Sequence, residues 1–407
     1  MSKIRIKNFG PIKEGMLEND GWMDIKKVTV FIGNQGSGKS TVAKLFSTLS
    51  WLEKDMTRGI TTPENVNTFK RFQKLLRYQR IDHYLKKESE IEYQGKALHF
   101  TFQNSHLNIS WALSSDYALP KIMYVPAERN FLAVVDRPDK LRSLPLPLYT
   151  FLDEYDSSRN LYSTGIEMPI GKIQFRYDKQ NKLAHILDKK EGYELRLSEA
   201  ASGFQSTIPL YLVTRYLVEN LGKEKDVSIK ELSLEEQRKQ DKIKVRIKND
   251  KKLNGHQREM RFKFLEALPS ALINIVEEPE QNLFPISQQQ ILFSLLEFNN
   301  KNEGNKLIIT THSPYLLVYL TLCVEANRLQ QKVNTNDLKL KLNSIVPLQS
   351  TVEGNNLVVY QLDEKIGTIE KLKDYKGLPS DENKLNDGLA EANDEFSKLL
   401  DLEDLCQ

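Results

Sequence analysis

The segment GNQGSGKS, residues 33–40, constrains the fold more tightly than any other part of this 407-residue chain. A glycine, four free positions and then Gly-Lys-Ser form the P-loop pattern, whose backbone N–H groups turn inward around phosphate oxygens. Aliphatic residues in 27–32 predict a strand before the loop, and apolar spacing in 42–49 predicts a helix after it. We therefore expect Lys39 to reach the terminal phosphates of ATP and the Ser40 hydroxyl to ligate Mg²⁺, beside the positive end of the helix.

Two adjacent carboxylates end a second aliphatic run, INIVEEPE at residues 273–280. The end of a strand fixes the positions of both side chains. We expect Glu277 to hold magnesium through its water shell and Glu278 to orient and deprotonate the attacking water. The alternative is a strand that simply ends in solvated acids. The P-loop upstream favours the catalytic interpretation, because P-loop chemistry needs such a partner strand.

Two further segments place polar residues next to apolar runs. LIITTHSPYLL, residues 307–317, is an aliphatic strand with polar residues at its end, and we expect His312 to donate a hydrogen bond to the γ-phosphate. A purely structural histidine is the alternative. SEAASGFQS, residues 198–206, leads into an apolar helix, so Ser202 and Gly203 are expected to form a second phosphate-binding helix start. An ordinary N-cap is the alternative there.

Composition narrows the class of protein without identifying a partner. Hydrophobic residues make up 40% and charged residues 28%, which is typical of a globular protein, and 58 basic against 55 acidic residues give a net charge of only +3. Nucleic-acid binding would therefore need a local basic patch. The two cysteines, Cys323 and Cys406, predict neither a disulfide framework nor a metal site. The absence of an apolar signal segment, and of any apolar run near the roughly 20 residues that span a bilayer, predicts a cytoplasmic protein.

The order of these patterns predicts an α/β fold of the P-loop NTPase type with a β-rich N-terminal lobe. Short alternating strands are expected in 91–111, and buried parallel strands in 271–278 and 306–313. A lysine- and glutamate-rich stretch lacks a sustained seven-residue repeat and is expected to form a short helical arm. The predicted domains are a discontinuous ATPase head at 1–218 and 264–330, a charged helical insertion at 219–263, and a partner-binding C-terminal extension at 331–407.

These four motifs, in this order, resemble those of the ABC-type ATPases, including the SMC, RecF and OLD-like families. The resemblance matches Ser202 and Gly203 to the signature motif, Glu277 and Glu278 to Walker B, 280–283 to the D-loop and His312 to the switch histidine. It implies that the signature residues of one subunit close over the ATP held by Lys39 of another, giving a homodimer with two shared nucleotides. Glu277 stands where transporters have aspartate, and SGFQ lacks their paired glycines.

The motifs and the resemblance together predict the composition of the site. Lys39, Glu278 and His312 are expected to be catalytic, and Ser40 and Glu277 to hold Mg²⁺. The residues expected to contact ATP are Gly33, Asn34, Gln35, Gly36, Ser37, Gly38, Lys39, Ser40, Thr41, Ser202, Gly203 and Gln205. The segment YVPAER resembles one that OLD-like ATPases carry before the signature, which adds Glu128 and Arg129.

A role in phage defence follows from the resemblance and not from a motif. OLD-like nucleases carry a Toprim domain with a D-x-D metal pair, and this chain contains no D-x-D. The chain resembles instead the stand-alone ATPase subunits of two-gene anti-phage systems, most of all that of the PARIS system. That resemblance implies a scaffold of ATPase dimers, or a higher homo-oligomer of them, that holds a separate Toprim nuclease and releases it when a phage trigger protein is sensed.

Two other roles stay open at this stage. A DNA-repair or chromosome-maintenance ATPase of the RecF or SMC type would contact DNA phosphates through basic residues of the insertion, although a solvated helical face is the simpler interpretation. Those residues are Lys242, Lys244, Arg246, Lys248, Lys251 and Lys252. A transporter's ATPase subunit is disfavoured by the OLD-like Walker B segment and the irregular signature.

Overall fold

The computed structural model describes residues 2–112, 114, 117–135, 138–141, 143–223, 234–250 and 253–405. Its strands, numbered in chain order, are β1 (Ser2–Lys7), β2 (Gly15–Met16), β3 (Met23–Ile25), β4 (Val28–Gly33), β5 (Glu90–Gln94), β6 (Leu98–Gln103), β7 (His106–Trp111), β8 (Pro120–Val125), β9 (Ile166–Glu167), β10 (Gln174–Asp178), β11 (Leu183–Asp188), β12 (Tyr193–Arg196), β13 (Ala271–Glu277), β14 (Lys306–Thr310), β15 (Leu357–Leu362), β16 (Thr368–Lys371), β17 (Asp374–Tyr375) and β18 (Leu378–Pro379). Its α-helices are α1 (Lys39–Thr57), α2 (Phe69–Leu76), α3 (Phe131–Val134), α4 (Leu146–Arg159), α5 (Ser202–Glu219), α6 (Leu234–Asn249), α7 (Gly255–Glu266), α8 (Pro285–Asn300), α9 (Pro314–Gln330), α10 (Asn336–Ile345) and α11 (Lys384–Leu405).

A seven-stranded central sheet carries the predicted motifs, in the order β2-β16-β15-β4-β14-β13-β8. The five strands from β15 to β8 run parallel to one another. Every residue of β4 and β13 is buried, as expected of aliphatic strands covered on both faces. Strand β14 lies between β4 and β13, so the carboxyl ends of all three meet at one edge. The P-loop, the paired glutamates and His312 therefore emerge side by side.

Helices and a further sheet cover each face of the central sheet. On one face, α1 buries Leu45, Phe46 and Leu49 between the central sheet and a five-stranded sheet of order β3-β1-β5-β6-β7. On the other face, α4, α5, α8 and α9 build the larger hydrophobic core, together with the four-stranded sheet β12-β11-β10-β9. The predicted α/β fold of P-loop NTPase type, with its β-rich N-terminal lobe, is confirmed.

Helix α4 and strand β15 go beyond what the sequence predicted. Helix α4 was not predicted; its Pro145 and Pro147 lie at its N-cap and first turn, where a missing N–H costs nothing. Strand β15 pairs in parallel with the P-loop strand β4 over its whole length. The sheet that carries the P-loop thus includes residues 357–371, whereas the sequence predicted that the head ends at 330.

Helix α6 lies within the predicted insertion, helix α7 extends three residues beyond it, and both pack on the end of α1. Ile247 and Leu265 form a small apolar cluster between them, and Leu265 O accepts a hydrogen bond from Arg58 Nη2 at 3.1 Å. Two of the basic residues considered for DNA binding have partners in the chain: Lys244 pairs with Glu266 at 2.8 Å, and Arg246 donates to backbone carbonyls after α1. Residues 224–233 and 251–252 of the insertion lie outside the described residues.

Neither cysteine chemistry nor membrane insertion is indicated by the described part of the chain. Cys323 is buried in α9, and burial raises the pKa of its thiol to about 12. Cys406 lies outside the described residues. Among the described helices, none combines the length and apolarity that crossing a lipid bilayer requires.

Candidate nucleotide site

The P-loop connects β4 to α1 and holds Lys39 at the first residue of the helix. Lys39 is 5% exposed, and its Nζ donates to the carbonyls of Gly33 and Asn34, both at 2.8 Å. Gly38 precedes the helix at a φ of +104°, in the left-handed region that favours glycine, and offers no side-chain cap. The first N–H groups of α1 are therefore available to an anion. Burial lowers the pKa of Lys39 to about 8, opposed by the nearby carboxylates, of which Glu278 acts most strongly.

The remaining predicted P-loop contacts divide into exposed and buried side chains. Asn34, Gln35 and Gly36 are exposed, and a methyl group built at Gly36 would meet nothing within 4 Å. Ser37 and Thr41 are buried, and Ser37 Oγ makes no hydrogen bond with any described residue. The loop thus presents its backbone and small side chains outward, as phosphate binding requires.

Glu277 ends β13 with its carboxylate buried beside the P-loop helix. Its Oε2 accepts a hydrogen bond from the Ala127 N–H at 3.4 Å, and its Oε1 is buried without a hydrogen bond to any described residue. Burial, and then Glu277 itself, raise the pKa of the Tyr124 phenol well above its ordinary value, so this neighbour stays protonated. Glu277 therefore keeps one carboxylate oxygen free for an additional ligand.

Glu278 turns away from the strand immediately after Glu277. Its backbone adopts a φ of +44°, and its N–H donates to Thr310 O at 2.9 Å, which locks the turn to the end of β14. Its Oε1 lies 3.7 Å from His312 Nε2. Burial, and then the charge of Glu277, raise the pKa of Glu278 above its ordinary value of 4.5. A non-glycine residue in this backbone region costs about 1–3 kcal/mol and persists where the surroundings hold it.

Glu280 ties the turn after β13 to the turn after β14. Its Oε1 accepts hydrogen bonds from Thr311 Oγ1 at 2.7 Å and from the His312 N–H at 2.8 Å. Desolvation, and then the charge of Lys39, lower the pKa of His312, so its ring is neutral at pH 7. A neutral imidazole offers one N–H donor and one acceptor. The predicted switch histidine is therefore held by the D-loop and faces Glu278.

Arg129 has a different place from the one that the sequence suggested. It is fully buried and donates four hydrogen bonds to backbone carbonyls, to Ser206 O at 3.0 Å, Pro126 O at 3.2 Å, and Glu277 O and Glu278 O at 2.7 Å each. Burial lowers its pKa to about 10. Arg129 thus clamps the catalytic turn to helix α5 and does not face the nucleotide. Glu128, its neighbour, is exposed and lines a cavity of about 820 Å³ next to Glu277.

The predicted signature residues lie at the start of α5, against the D-loop. The N-cap of α5 is Ala201, which makes no side-chain cap, so Ser202 is not an ordinary N-cap. A methyl group at Gly203 would lie 2.7 Å from Asn282 O, which explains the need for glycine there. Gln205 is buried, and its amide donates to carbonyls of the preceding segment, at 3.1 Å to Ser198 O. Ser202 is exposed and free to face another molecule.

Sequence reasoning missed one contact at the P-loop, from the turn after β15. Asn34 Nδ2 donates to Glu364 Oε1 at 2.9 Å, and the neighbouring Asp363 pairs with Lys384, the first residue of α11. No periodicity connects residues 330 positions apart in sequence. Only the pairing of β15 with β4 brings this turn to the nucleotide site.

The donor set fits magnesium bound together with a nucleotide. No group of three or more His, Cys, Asp or Glu side chains able to hold a metal occurs among the described residues. Magnesium needs no such cluster when phosphates, water, one hydroxyl and one carboxylate surround it. Ser40 at the start of α1 and Oε1 of Glu277, which makes no hydrogen bond within the described residues, would supply the protein's share.

A P-loop strand, a neighbouring strand inserted beside it and an acid-bearing third strand define a P-loop NTPase fold. No family model and no curated protein matches the chain. Solved structures similar to it include an SMC head domain from Thermotoga maritima, with 10% identity over 92% of this chain and 98% of that chain and a TM-score of 0.39. Another is a Pyrococcus furiosus Smc head with an extended coiled coil bound to the C-terminal domain of ScpA, with 9% identity, 98% and 100% coverage and a TM-score of 0.39. A dimeric ATP-binding cassette bound to ADP and Pi gives 11% identity, 92% and 100% coverage and a TM-score of 0.28.

Proposed function

We propose that this chain is a magnesium-dependent ATPase of the ABC/SMC-like type. The observation that carries the proposal is the single edge at which Lys39, Glu277, Glu278 and His312 meet. Lys39 binds the terminal phosphates, and Ser40 with Glu277 holds Mg²⁺, which neutralises charge on the phosphates when bound. Glu278 orients the attacking water and accepts its proton, while neutral His312 contacts the γ-phosphate.

Replacing the P-loop lysine and measuring ATP turnover tests this activity. Lys39→Ala is expected to abolish phosphate release from ATP, because phosphate loses its main cationic contact. The matched control is Lys341→Ala, an exposed lysine of α10, outside the sheet that carries the P-loop, which should leave turnover unchanged. Full phosphate release by Lys39→Ala would contradict the proposed activity.

The nucleotide site is further proposed to be shared between two copies of the chain. Ser202 and Gly203 lie against the D-loop, and the D-loop continues into Phe284, 76% exposed, and Ile286, 53% exposed. Apolar side chains this exposed beside a catalytic turn support an interface there. The signature of one copy would then close over ATP held by Lys39 of the other.

Mixing two inactive variants distinguishes a shared site from a self-contained one. Lys39→Ala keeps an intact signature, and Ser202→Arg keeps an intact P-loop. Neither homodimer therefore contains a complete site. A mixed dimer of the two has one complete site of two, so an equimolar mixture, in which about half of the dimers are mixed, is expected to recover about a quarter of the parent activity. Activity that stays absent after mixing, although each variant is folded, would contradict sharing.

The finer proposal is that the ATPase serves as the sensor and scaffold of an anti-phage system, holding and releasing a separate Toprim nuclease. The C-terminal extension supports a partner, because α11 exposes apolar side chains that its own chain leaves uncovered. These are Phe396 (60% exposed), Leu399 (62%), Leu400 (47%) and Leu402 (57%). An apolar row on an acidic helix is suited to docking against another protein.

Co-expression with the neighbouring gene tests this role. Leu399→Glu with Leu400→Glu is expected to dissociate the complex and leave ATP turnover intact, and Glu391→Ala on the same helix serves as the control. Lys39→Ala is expected to keep the complex and lose protection against phage. Protection that persists in Lys39→Ala would contradict the ATP-dependent role.

Salt-sensitive binding of duplex DNA that is lost on charge reversal of Lys242 and Lys248 would favour the DNA-repair role instead.

A further inference from the structure

A second polar cavity lies at the edge of the central sheet opposite the nucleotide site. It has a volume of about 400 Å³ and is bounded by the N-terminal sheet, by α1 and by the first residues of β8, β13 and β14. The charged and hydroxylic side chains that matter for its chemistry are Lys26, Lys27, Lys96, Lys306, Glu53 and Tyr117. None of them belongs to the nucleotide site.

The lining of this cavity carries an excess of positive charge. All four lysines are half-buried, although lysine is normally exposed unless it is paired. Within the described ranges, Lys26, Lys27 and Lys306 have no carboxylate oxygen within 4.0 Å. Two carboxylates, Glu53 and Glu303, line the cavity together with the four lysines, so the lining keeps a net positive charge.

Both carboxylate oxygens of Glu53 accept hydrogen bonds from other residues of the chain. Its Oε1 accepts the N–H groups of Ala97 at 2.7 Å and Leu98 at 3.1 Å, and its Oε2 accepts the Tyr93 hydroxyl at 2.7 Å. Burial raises its pKa, and the three hydrogen bonds oppose that shift. Because both oxygens already accept protein donors, the single charge of Glu53 offsets only part of the charge of the four lysines.

Lys306 and Tyr117 are the donors with unused capacity. Lys306 Nζ makes only long hydrogen bonds, 3.2 Å to Ser2 Oγ and 3.2 Å to Ile25 O. Desolvation, opposed by Glu53 and assisted by Lys96, lowers its pKa to about 8. Tyr117 is 8% exposed, and its hydroxyl makes no hydrogen bond shorter than 3.5 Å with a described residue. An anion in the cavity would satisfy these donors and relieve the repulsion between the ammonium groups.

We propose that this cavity binds a small anion bearing at least two phosphate groups, at a site separate from that of the P-loop nucleotide. Lysine ammonium groups bind phosphate as point charges, and several lysines around one cavity suit a polyphosphate better than a single carboxylate. A volume of about 400 Å³ is within the range of small-molecule sites. Free pyrophosphate and the diphosphate of a nucleotide share this chemistry.

The position of the cavity links it physically to the catalytic edge. Strand β14 begins at Lys306 and ends two residues before His312, while α1 begins at Lys39 and carries Glu53 about 20 Å further along. An anion bound in the cavity would lie beside Lys306 at the start of β14 and beside Glu53 in the C-terminal part of α1. Anion binding in this cavity does not depend on the proposed ATPase activity. Only an effect of the bound anion on ATP turnover would rest on that proposed function.

Calorimetric titration of Lys39→Ala with inorganic pyrophosphate tests the site, because that variant removes the P-loop's own hold on phosphate. We expect Lys39→Ala to bind pyrophosphate, and the addition of Lys306→Met or Lys27→Gln to weaken binding at least tenfold. Lys27 lies at the rim, so its variant should fold even if Lys306→Met does not. Adding Lys341→Gln, at an exposed lysine outside this cavity, is the matched control and should change nothing. No pyrophosphate binding by Lys39→Ala, or binding unchanged by both lysine variants, would overturn the proposal.

Titration with ADP in the same variant separates the two sources of the diphosphate. Tighter binding of ADP than of pyrophosphate, still sensitive to Lys306→Met, would identify a nucleotide ligand, and equal binding would identify free polyphosphate. Acetic anhydride labelling at pH 8 provides a second readout in the parent protein. Pyrophosphate is expected to protect Lys306, but not Lys341, from acetylation. Equal labelling of Lys306 with and without pyrophosphate would contradict the assignment.

Discussion

Replacing Arg129 with lysine tests whether the buried clamp holds the catalytic turn. The guanidinium makes four hydrogen bonds to carbonyls of three separate segments. A lysine ammonium keeps the charge but is a single point, and it can reach at most two of these carbonyls. At least two buried carbonyls then lose a charged donor, each at about 1–3 kcal/mol. We expect Arg129→Lys to lose about 3–5 kcal/mol of unfolding free energy.

Calorimetry and steady-state kinetics measure the two consequences separately. At about 1.2 °C per kcal/mol for a chain of 407 residues, the melting temperature should fall by roughly 4–6 °C. Because two of the carbonyls belong to Glu277 and Glu278, the carboxylates lose their fixed position, and a displacement of about 1 Å can lower kcat on the order of 100-fold. ATP binding should persist, since the P-loop is untouched.

A surface arginine provides the control for the Arg129 clamp. Arg176 pairs with Glu194 at 2.6 Å with both side chains exposed, so Arg176→Lys should cost less than about 1 kcal/mol and leave kcat unchanged. The reasoning would be refuted if Arg129→Lys melted within 2 °C of the parent protein, or if it melted early while its kcat matched that of the parent.

Three further outcomes follow from the site. Glu278→Gln is expected to retain ATP, lose turnover and accumulate as a dimer in size-exclusion chromatography with ATP; unchanged turnover would mean that another group activates the water. Gly203→Ala places a methyl group 2.7 Å from Asn282 O, so it should cost about 1–3 kcal/mol and reduce turnover, and a parent-like melting curve and rate would refute the close packing. Cys323, whose buried thiol has a pKa near 12, should resist iodoacetamide at pH 8 until the protein unfolds, as peptide mass spectrometry would report.

The sequence was informative wherever function requires a local pattern. The P-loop, the acids at the end of β13 and the histidine after β14 each combine an aliphatic run with a polar end, so both the element and its position could be predicted. The order of the strands could not, because periodicity does not record which strand lies beside which. The strand at 357–362 was recognised, but not its pairing with β4.

Long-range polar contacts were beyond sequence reasoning for the same reason. Arg129 was recognised as part of a segment near the site, yet its partners are carbonyls from Ser206, Glu277 and Glu278, and carbonyls have no sequence signature. The cavity around Lys306 likewise assembles residues from both ends of the chain. Helix α4 was missed because prolines are read as helix breakers unless the first turn is known.

The turn after β15 gives the far end of the chain a direct contact with the P-loop. One residue of this turn, Glu364, contacts the P-loop through Asn34, and the preceding one, Asp363, holds the first residue of α11. Any molecule whose binding to α11 changes the affinity for ATP must, by thermodynamic reciprocity, be bound more or less tightly by the same factor when ATP is present. A molecule bound to α11 would therefore be two side-chain contacts away from the P-loop.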